Sequence, residues 1–426
     1  METPVAAAGI YISVPFCKTK CTYCNFASGV FSKAKYRAYV DQLCADIVGA
    51  HEIAAGQQAE FVAAADSIYF GGGTPTILPA SHIRQIFAAL RARFDVARDA
   101  EITVECAPGT LGPEVLDVLL ACGVNRISLG VQSFADEEAR AVGRLHTRDA
   151  ALRDVEVLRR AGIADINLDL IAGLPHQSAQ SWQQSLDDAI STGVPHVSVY
   201  MLEVDEDSRL GTELLAGGAR YHAHHVPDDD LIAELYEIAC ERLSAAGLAQ
   251  YEISNFASRG HESRHNLKYW TRQPYFGFGV DAHSMLPPGP EPARAGIDAI
   301  RFGMGDTLEA FLSAGNAARI AASSTVSIEG ALEEELFLGL RLNRGVDLAA
   351  LRRRYSSALL AGTHQKIAKL CSHGLLQHAG IQLQLTPRGR LLSNEVFAEF
   401  LAPRAAPAGG VTDARARHEL HTAPVG

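Results

Sequence analysis

Six short apolar runs separated by longer amphipathic stretches fill residues 10 to 201, and this alternation limits the possible folds more than any other feature of the chain. GIYISVP (9 to 15), DSIYF (66 to 70), EITVE (101 to 105), NRISLG (125 to 130), DINLDLI (165 to 171) and HVSVYM (196 to 201) have the length and β-branched content of strands. Residues 33 to 54, 79 to 93, 112 to 121, 136 to 161 and 178 to 192 carry helical spacing between them. Gly123, Gly162 and Gly193 stand where three of these helices would stop, the place for a residue that takes left-handed backbone without steric cost. A helix between each pair of strands is the connection a parallel sheet requires. The expectation is an α/β fold built on a partial (β/α)6, TIM-like barrel, with a doubly wound open sheet as the alternative because strand order is not written in one sequence.

In a β/α barrel the loops that follow the strands build the site. Polar and small residues gather there: Cys17 after the first strand, Gly71 to Thr76 after the second, Glu105 closing the third, Gln132 and Ser133 after the fourth, and Asp169 near the end of the fifth. The first of these loops is CKTKCTYCNF, with Cys17, Cys21 and Cys24 inside eight residues. Three thiolates on one short loop can hold three irons of a 4Fe-4S cube and leave the fourth open to a small molecule. Zinc would want a closed set of four ligands, and no second cysteine pair follows. The other five cysteines (Cys44, Cys106, Cys122, Cys240 and Cys371) are scattered singly and read as small core residues. A disulfide framework would need an oxidising compartment, yet nothing before Tyr11 combines a basic start with an apolar core, so the expected location is the cytoplasm. The run GGGTP at Gly71 to Pro75 lets backbone approach a ligand that chelates the open iron through an amine and a carboxylate. S-adenosylmethionine (SAM) is such a ligand.

Composition narrows the class. Hydrophobic residues make up 47% and charged residues 20%, as in an ordinary globular chain, and no apolar run approaches the roughly 20 residues that span a bilayer. A formal charge of −11 argues against a nonspecific nucleic-acid binder, whose affinity comes from Lys and Arg on phosphates. The alternation fades past residue 203. A connecting region over 204 to 320 follows, containing a helix near 229 to 246, HNLKYW (265 to 270) and a loop or linker over 289 to 298. Residues 321 to 402 read as a module of three helices and a β-hairpin, an α+β extension that is winged-helix-like. The tail from 403 to 426 lacks periodicity and is expected to be disordered.

Tyr11 six residues before Cys17, the CKTKCTYC loop, GGGTPT, TVECAP, GVQSF, GRLH and DLIAGLP occur in an order that resembles the oxygen-independent coproporphyrinogen III oxidase family of radical SAM enzymes, over roughly residues 10 to 400. The resemblance implies that Cys17, Cys21 and Cys24 ligate the cluster and that Tyr11, Gly72, Gly73, Thr74, Glu105, Gln132, Arg144 and Asp169 contact SAM. It also implies reductive cleavage of SAM to methionine and a 5′-deoxyadenosyl radical, chemistry carried by the cofactor and positioned by the protein. Two departures separate the chain from the true oxidases: Phe26 stands where they carry a further cysteine, and ten residues precede Tyr11 where they have a long extension. HNLKYW instead is similar to the HNxxYW motif of the heme chaperone branch, the HemW-type proteins.

That branch implies heme as ligand and apo-hemoproteins, among them respiratory membrane enzymes, as partners, with a cluster-linked homodimer as a further expectation. His265 would then ligate heme iron while Tyr269 and Trp270 offer flat surfaces to the porphyrin; read from the residues alone, the same motif is an aromatic core anchor with a hydrogen-bonded histidine. HAHH (His222 to His225) reads as a metal or heme tract or as a solvated loop. The expected function is a heme-binding, heme-delivering chaperone with a radical SAM core. The alternatives are oxidative decarboxylation of coproporphyrinogen III and, from another class, a winged-helix regulator sensing iron-sulfur status.

Overall fold

A computed structural model of the chain describes residues 7–313 and 319–401. The six expected strands form as β1 (Ala8–Val14), β2 (Ala64–Gly72), β3 (Asp95–Cys106), β4 (Arg126–Gln132), β5 (Asp165–Ala172) and β6 (His196–Met201). Each pairs in parallel with the next, from β1 against β2 through β5 against β6. Six further strands join the same sheet: β7 (Ala249–Gln250), β8 (Asn255–Ala257), β9 (Tyr275–Gly279), β10 (His283–Leu286), β11 (Ile297–Met304) and β12 (Ile320–Ser327). The order across the sheet is β12-β11-β10-β9-β1-β2-β3-β4-β5-β6-β8-β7. Only β9 among the added strands runs parallel to its neighbour β1; the others extend both ends antiparallel. The sheet thus runs unbroken past residue 203, and its two ends stay apart as edges, which makes a partial barrel and not a closed one.

The parallel strands are buried on both faces but differ in chemistry from face to face. Ile10, Ile12, Ile68, Phe70, Val104, Leu129, Leu168 and Val199 point one way, into a core shared with Tyr39, Leu43, Ile86, Leu90, Leu158 and Trp182 of the covering helices. At about 1.5–3 kcal/mol for each fully buried large side chain, this layer supplies most of the drive to fold. The alternate residues Tyr11, Tyr69, Thr103, Ser128, Asn167 and Ser198 point the other way, and they too are buried. Such a polar inner face must satisfy its own hydrogen bonds. Asn167 Nδ2 donates to Ser128 Oγ at 2.7 Å and to Asp169 Oδ1 at 2.7 Å, and Asn167 Oδ1 lies 2.6 Å from His196 Nδ1.

The amino end of this polar face is stoppered by the helix Arg264–Trp270. Glu101 of β3 accepts from the backbone N–H of Arg264 at 3.0 Å and of His265 at 2.9 Å, holding the helix start. Lys268, only 3% exposed, reaches Asp66 Oδ1 at 2.7 Å and the Ala7 carbonyl at 2.7 Å.

Two expected helices are broken. Residues 33 to 54 divide at Gly49 into Ala34–Val48 and Ala50–Gly56. Residues 136 to 161 divide into Asp136–Ala141 and Arg148–Arg160, because Gly143 takes φ +83° and turns the chain out between them. The loop expected over 289 to 298 holds one helical turn, Pro290–Arg294, and then enters β11, so its Pro and Gly content marked a turn and not a linker. At the C-terminal end, helices Ile328–Arg341, Leu348–Arg354 and Ser357–Ser372 pack with a small antiparallel sheet of β13 (Val346–Asp347), β15 (Gln382–Leu385) and β14 (Leu376–Ala379). This unit has its own core around Leu336, Leu340, Leu370, Leu383 and Phe397. The tail from 403 to 426 lies outside the described residues.

Candidate cofactor site at the carboxyl end of the sheet

One cavity of about 380 Å³ opens where the parallel strands end, and Cys17, Cys21, Cys24, Gly72, Gly73, Thr74, Glu105, Gln132, Arg144 and Asp169 all line it. Tyr11 alone of the expected SAM contacts lies beneath the lining, 7% exposed and stacked on Tyr69 with ring centroids 6.1 Å apart.

The cysteine loop is pinned on three sides. Cys17 N–H donates to the Gly29 carbonyl at 2.9 Å, Thr22 N–H to the Val142 carbonyl at 3.1 Å, and Asn25 Nδ2 to Asp205 Oδ2 at 3.0 Å. Among the described residues no three His, Cys, Asp or Glu side chains gather closely enough to hold a single metal ion.

The glycine run makes close approach possible at two positions. Gly73 N–H and Thr74 N–H donate to the Val14 and Phe16 carbonyls, both at 2.8 Å, pressing the run against the exit of β1. A Cβ on Gly73 would lie 2.7 Å from Phe16 O, 2.8 Å from Val14 O and 3.0 Å from Cys17 Sγ. Gly72 takes φ +97°, a conformation that side chains avoid. Gln132 also takes a left-handed φ, +66°, where the register of β4 slips against β5. Left-handed backbone at a non-glycine residue costs about 1–3 kcal/mol, and here it accompanies a side chain that lines the cavity.

Charge in the cavity is unbalanced in a way that suits a zwitterionic ligand. Ser128 Oγ donates to Asp169 Oδ2 at 2.9 Å, and burial pushes this carboxyl above the usual range. Glu105 is pushed up to about 8, first by desolvation and then by the Asp169 charge beside it. Arg144 donates from Nη2 to Tyr23 OH at 3.2 Å, while its Nε is buried without a partner. Two acids held in a desolvated site favour a cation, and an orphaned guanidinium N–H favours a carboxylate. SAM carries a sulfonium, an ammonium and a carboxylate, so the residues present fit it. Cys17, Cys21 and Cys24 would hold the cluster, and Glu105, Asp169, Gln132 and Arg144 would orient the ligand.

The raised Glu105 pKa fixes the sign of a stability test. The folded chain keeps a proton at Glu105 up to about pH 8, whereas the unfolded chain loses it near the ordinary 4.5. Ligand-free protein therefore loses stability at this residue as pH rises through that window. We expect Glu105→Gln to remove the loss, so that the melting temperature of the variant gains on the parent between about pH 5 and about pH 8. Parallel melting curves across that range would show that Glu105 titrates normally.

Residues that sequence reasoning missed complete the wall. Tyr23 lies within the cysteine loop itself, where an aromatic between two of the cysteines was a signal available to be read. Tyr200, Ser254, Arg341, Ser393 and Asn394 also line the cavity, the last three contributed by the C-terminal unit. Arg341 stacks on the Trp270 ring at 4.2 Å and lies 4.0 Å from the fully buried Glu252. No local pattern marks these residues, because they reach the cavity only through packing of the two ends of the chain.

His265, Tyr269 and Trp270 are 1%, 4% and 3% exposed, away from the cavity lining. His265 Nδ1 lies 3.0 Å from Ser67 Oγ and Nε2 lies 2.9 Å from Tyr269 OH. Both ring nitrogens are thus engaged, and the ring stacks on Tyr69 with centroids 5.3 Å apart. Ligation of iron by His265 would require one of these two bonds to be given up.

Residues 11–189 match the radical SAM superfamily, and residues 326–392 match the HemN C-terminal domain. The chain is 34% identical over 399 residues to the heme chaperone HemW of Bacillus subtilis, covering 92% of this chain and 98% of the relative. The chain belongs to the HemW family. A second HemW protein, from Mycobacterium tuberculosis H37Rv, is 32% identical over 92% of this chain and 94% of its own length. The solved structure of coproporphyrinogen III oxidase (HemN) from Escherichia coli superposes with a TM-score of 0.77 at 22% identity, over 93% of this chain and 91% of that one. At that identity the likeness speaks for the fold, including the C-terminal unit. Radical SAM membership implies a 4Fe-4S cluster and SAM, which when bound supply one-electron reduction of the sulfonium. No helix among the described residues is long and apolar enough to cross a membrane.

Proposed function

We propose that the chain is a heme chaperone: it binds heme, carries a 4Fe-4S cluster on Cys17, Cys21 and Cys24 with SAM in the adjoining cavity, and passes heme to apo-hemoproteins. The observation that carries this reading is 34% identity over nearly the whole length of a protein named as a heme chaperone. The site agrees with it, since acids, guanidinium and glycine backbone surround the three thiols as a SAM cavity requires. Respiratory membrane enzymes as clients and a homodimer joined through the open iron belong to the same proposal. So does a cytoplasmic location, which suits eight cysteines that are all unpaired.

Coproporphyrinogen III decarboxylation is the second reading, favoured by the shared fold at a TM-score of 0.77. Against it, Phe26 lines the cavity, 45% exposed, at the position where the oxidases' further cysteine is expected. Anaerobically reconstituted protein is to be given hemin and coproporphyrinogen III in separate reactions with SAM and a reductant. Stoichiometric heme binding without protoporphyrinogen IX is expected; decarboxylated product at catalytic turnover would replace the chaperone reading with the oxidase.

A further inference from the structure

We propose that His196 is a positioning residue for SAM: through Asn167 it aims Asp169 into the cofactor cavity, and through Tyr251 it takes its own orientation from the cap of the HNLKYW helix. This rests on SAM occupying the cavity, as in the reading above, and deepens it.

The bonds run through the polar interior of the sheet, and chemistry dictates their direction at every link. At the cavity end Asp169 accepts from Asn167 Nδ2 at 2.7 Å and from Ser128 Oγ at 2.9 Å. With the amide nitrogen facing the acid, Asn167 Oδ1 faces His196 Nδ1 at 2.6 Å. An amide oxygen only accepts, so that ring nitrogen carries the proton. Burial, and after it the Arg126 charge, hold His196 well below the usual histidine range and therefore neutral. Its Nε2 is then an acceptor, and Tyr251 OH, 3.0 Å away, donates to it. The Tyr251 oxygen accepts in turn from Ser263 N–H at 3.2 Å. Ser263 caps the helix Arg264–Trp270, its Oγ accepting from Asn266 N–H at 3.3 Å.

Every donor on this path points toward Asp169, so each bond polarises the next in the same sense. Asp169, Asn167, His196 and Ser263 are all buried, and bulk water does not compete for the links. The path crosses the depth of the sheet, from the helix that closes its amino end to an acid that lines the cavity at its carboxyl end.

Apolar side chains would fill the same interior without the cost of desolvating polar groups. What the polar set adds is orientation. Asp169 lines the cavity and His196 does not, so the histidine acts through Asn167. The Asn167 amide could turn over, which would set its oxygen against the carboxylate. The His196 N–H holds that oxygen away, helped by a longer bond from Ser198 Oγ at 3.2 Å. A carboxylate already fixed by two donors loses no further freedom when its ligand arrives.

Isothermal titration of the anaerobically reconstituted protein with SAM tests this through a double-mutant cycle. His196→Leu is expected to weaken SAM about tenfold, the lower end for a bond to a charged group because the histidine acts at one remove. Tyr251→Phe removes one oxygen and leaves the packing intact; it should weaken SAM about threefold and gives the same cycle through a milder change. In an Asp169→Asn background both substitutions should alter SAM affinity by less than about twofold, because the group they aim is gone. A residue that only supports the fold would weaken SAM by the same factor in both backgrounds, and that additive result would overturn the proposal. Unchanged affinity in His196→Leu and Tyr251→Phe alike would overturn it too, and would leave the SAM cavity standing. A parent protein with its cluster assembled that binds no SAM would overturn both.

Discussion

Serine at Cys17, Cys21 or Cys24 is expected to empty the site: iron falls from about four per chain to a small fraction of that, and SAM cleavage is lost. The effect should be all-or-none because the loop has no spare donor. The remaining five cysteines sit elsewhere; of these only Cys106 also lines the cavity, and it is 3% exposed with its thiol placed against Thr76 and Thr110. Serine is close in size to cysteine, so the loop's bonds to Gly29, Val142 and Asp205 should persist and the chain should fold. Iron and sulfide analysis after anaerobic reconstitution, with far-ultraviolet circular dichroism as the control, reads both halves of the expectation. A folded Cys21→Ser protein that kept a full complement of iron would remove Cys21 from the ligand set.

The second large effect is expected at Gly73. Alanine there puts a methyl 2.7 Å from the Phe16 carbonyl, 2.8 Å from the Val14 carbonyl and 3.0 Å from Cys17 Sγ. Two of those neighbours are backbone and cannot swing aside. The run must therefore move off β1, breaking the bonds from Gly73 and Thr74 and displacing a cluster ligand at the same time. Overpacking of this kind costs about 1–3 kcal/mol, so SAM affinity should fall by up to about two orders of magnitude. Isothermal titration of reconstituted protein with SAM measures it. Gly112→Ala, at a glycine where a Cβ meets nothing within 4 Å, is the matched control and should bind normally. Equal affinity in the two variants would mean that the glycine run does not approach the ligand.

The parallel half of the fold was legible because each strand there is an apolar run bounded by a helix, and the sheet needs that pattern to bury both faces. The strands beyond residue 203 were not. β12 reads IAASSTVS, small and polar, because it is an exposed edge; β9 reads YFGFG, where glycines hide the strand signal. The site separated in the same way. Of the residues placed at strand ends from order alone, Cys17, Gly72, Gly73, Thr74, Glu105, Gln132 and Asp169 line the cavity, whereas Gly71, Pro75, Thr76 and Ser133 do not. Arg341, Ser393 and Asn394 could not be placed in that way, since the packing of the C-terminal unit brings them there. His265 shows the sharper limit. A histidine beside aromatics reads alike as an iron ligand or a core anchor, and no local pattern foretold its bond to Ser67, 198 residues away in sequence and 3.0 Å away in space.

Electron paramagnetic resonance of the reduced, anaerobically reconstituted protein, recorded with and without SAM, tests most directly whether three thiols leave one iron open to that ligand. The expected result is a 4Fe-4S signal whose g values shift on addition of SAM. A cluster signal that SAM leaves unchanged, or no cubic cluster at all, would contradict it.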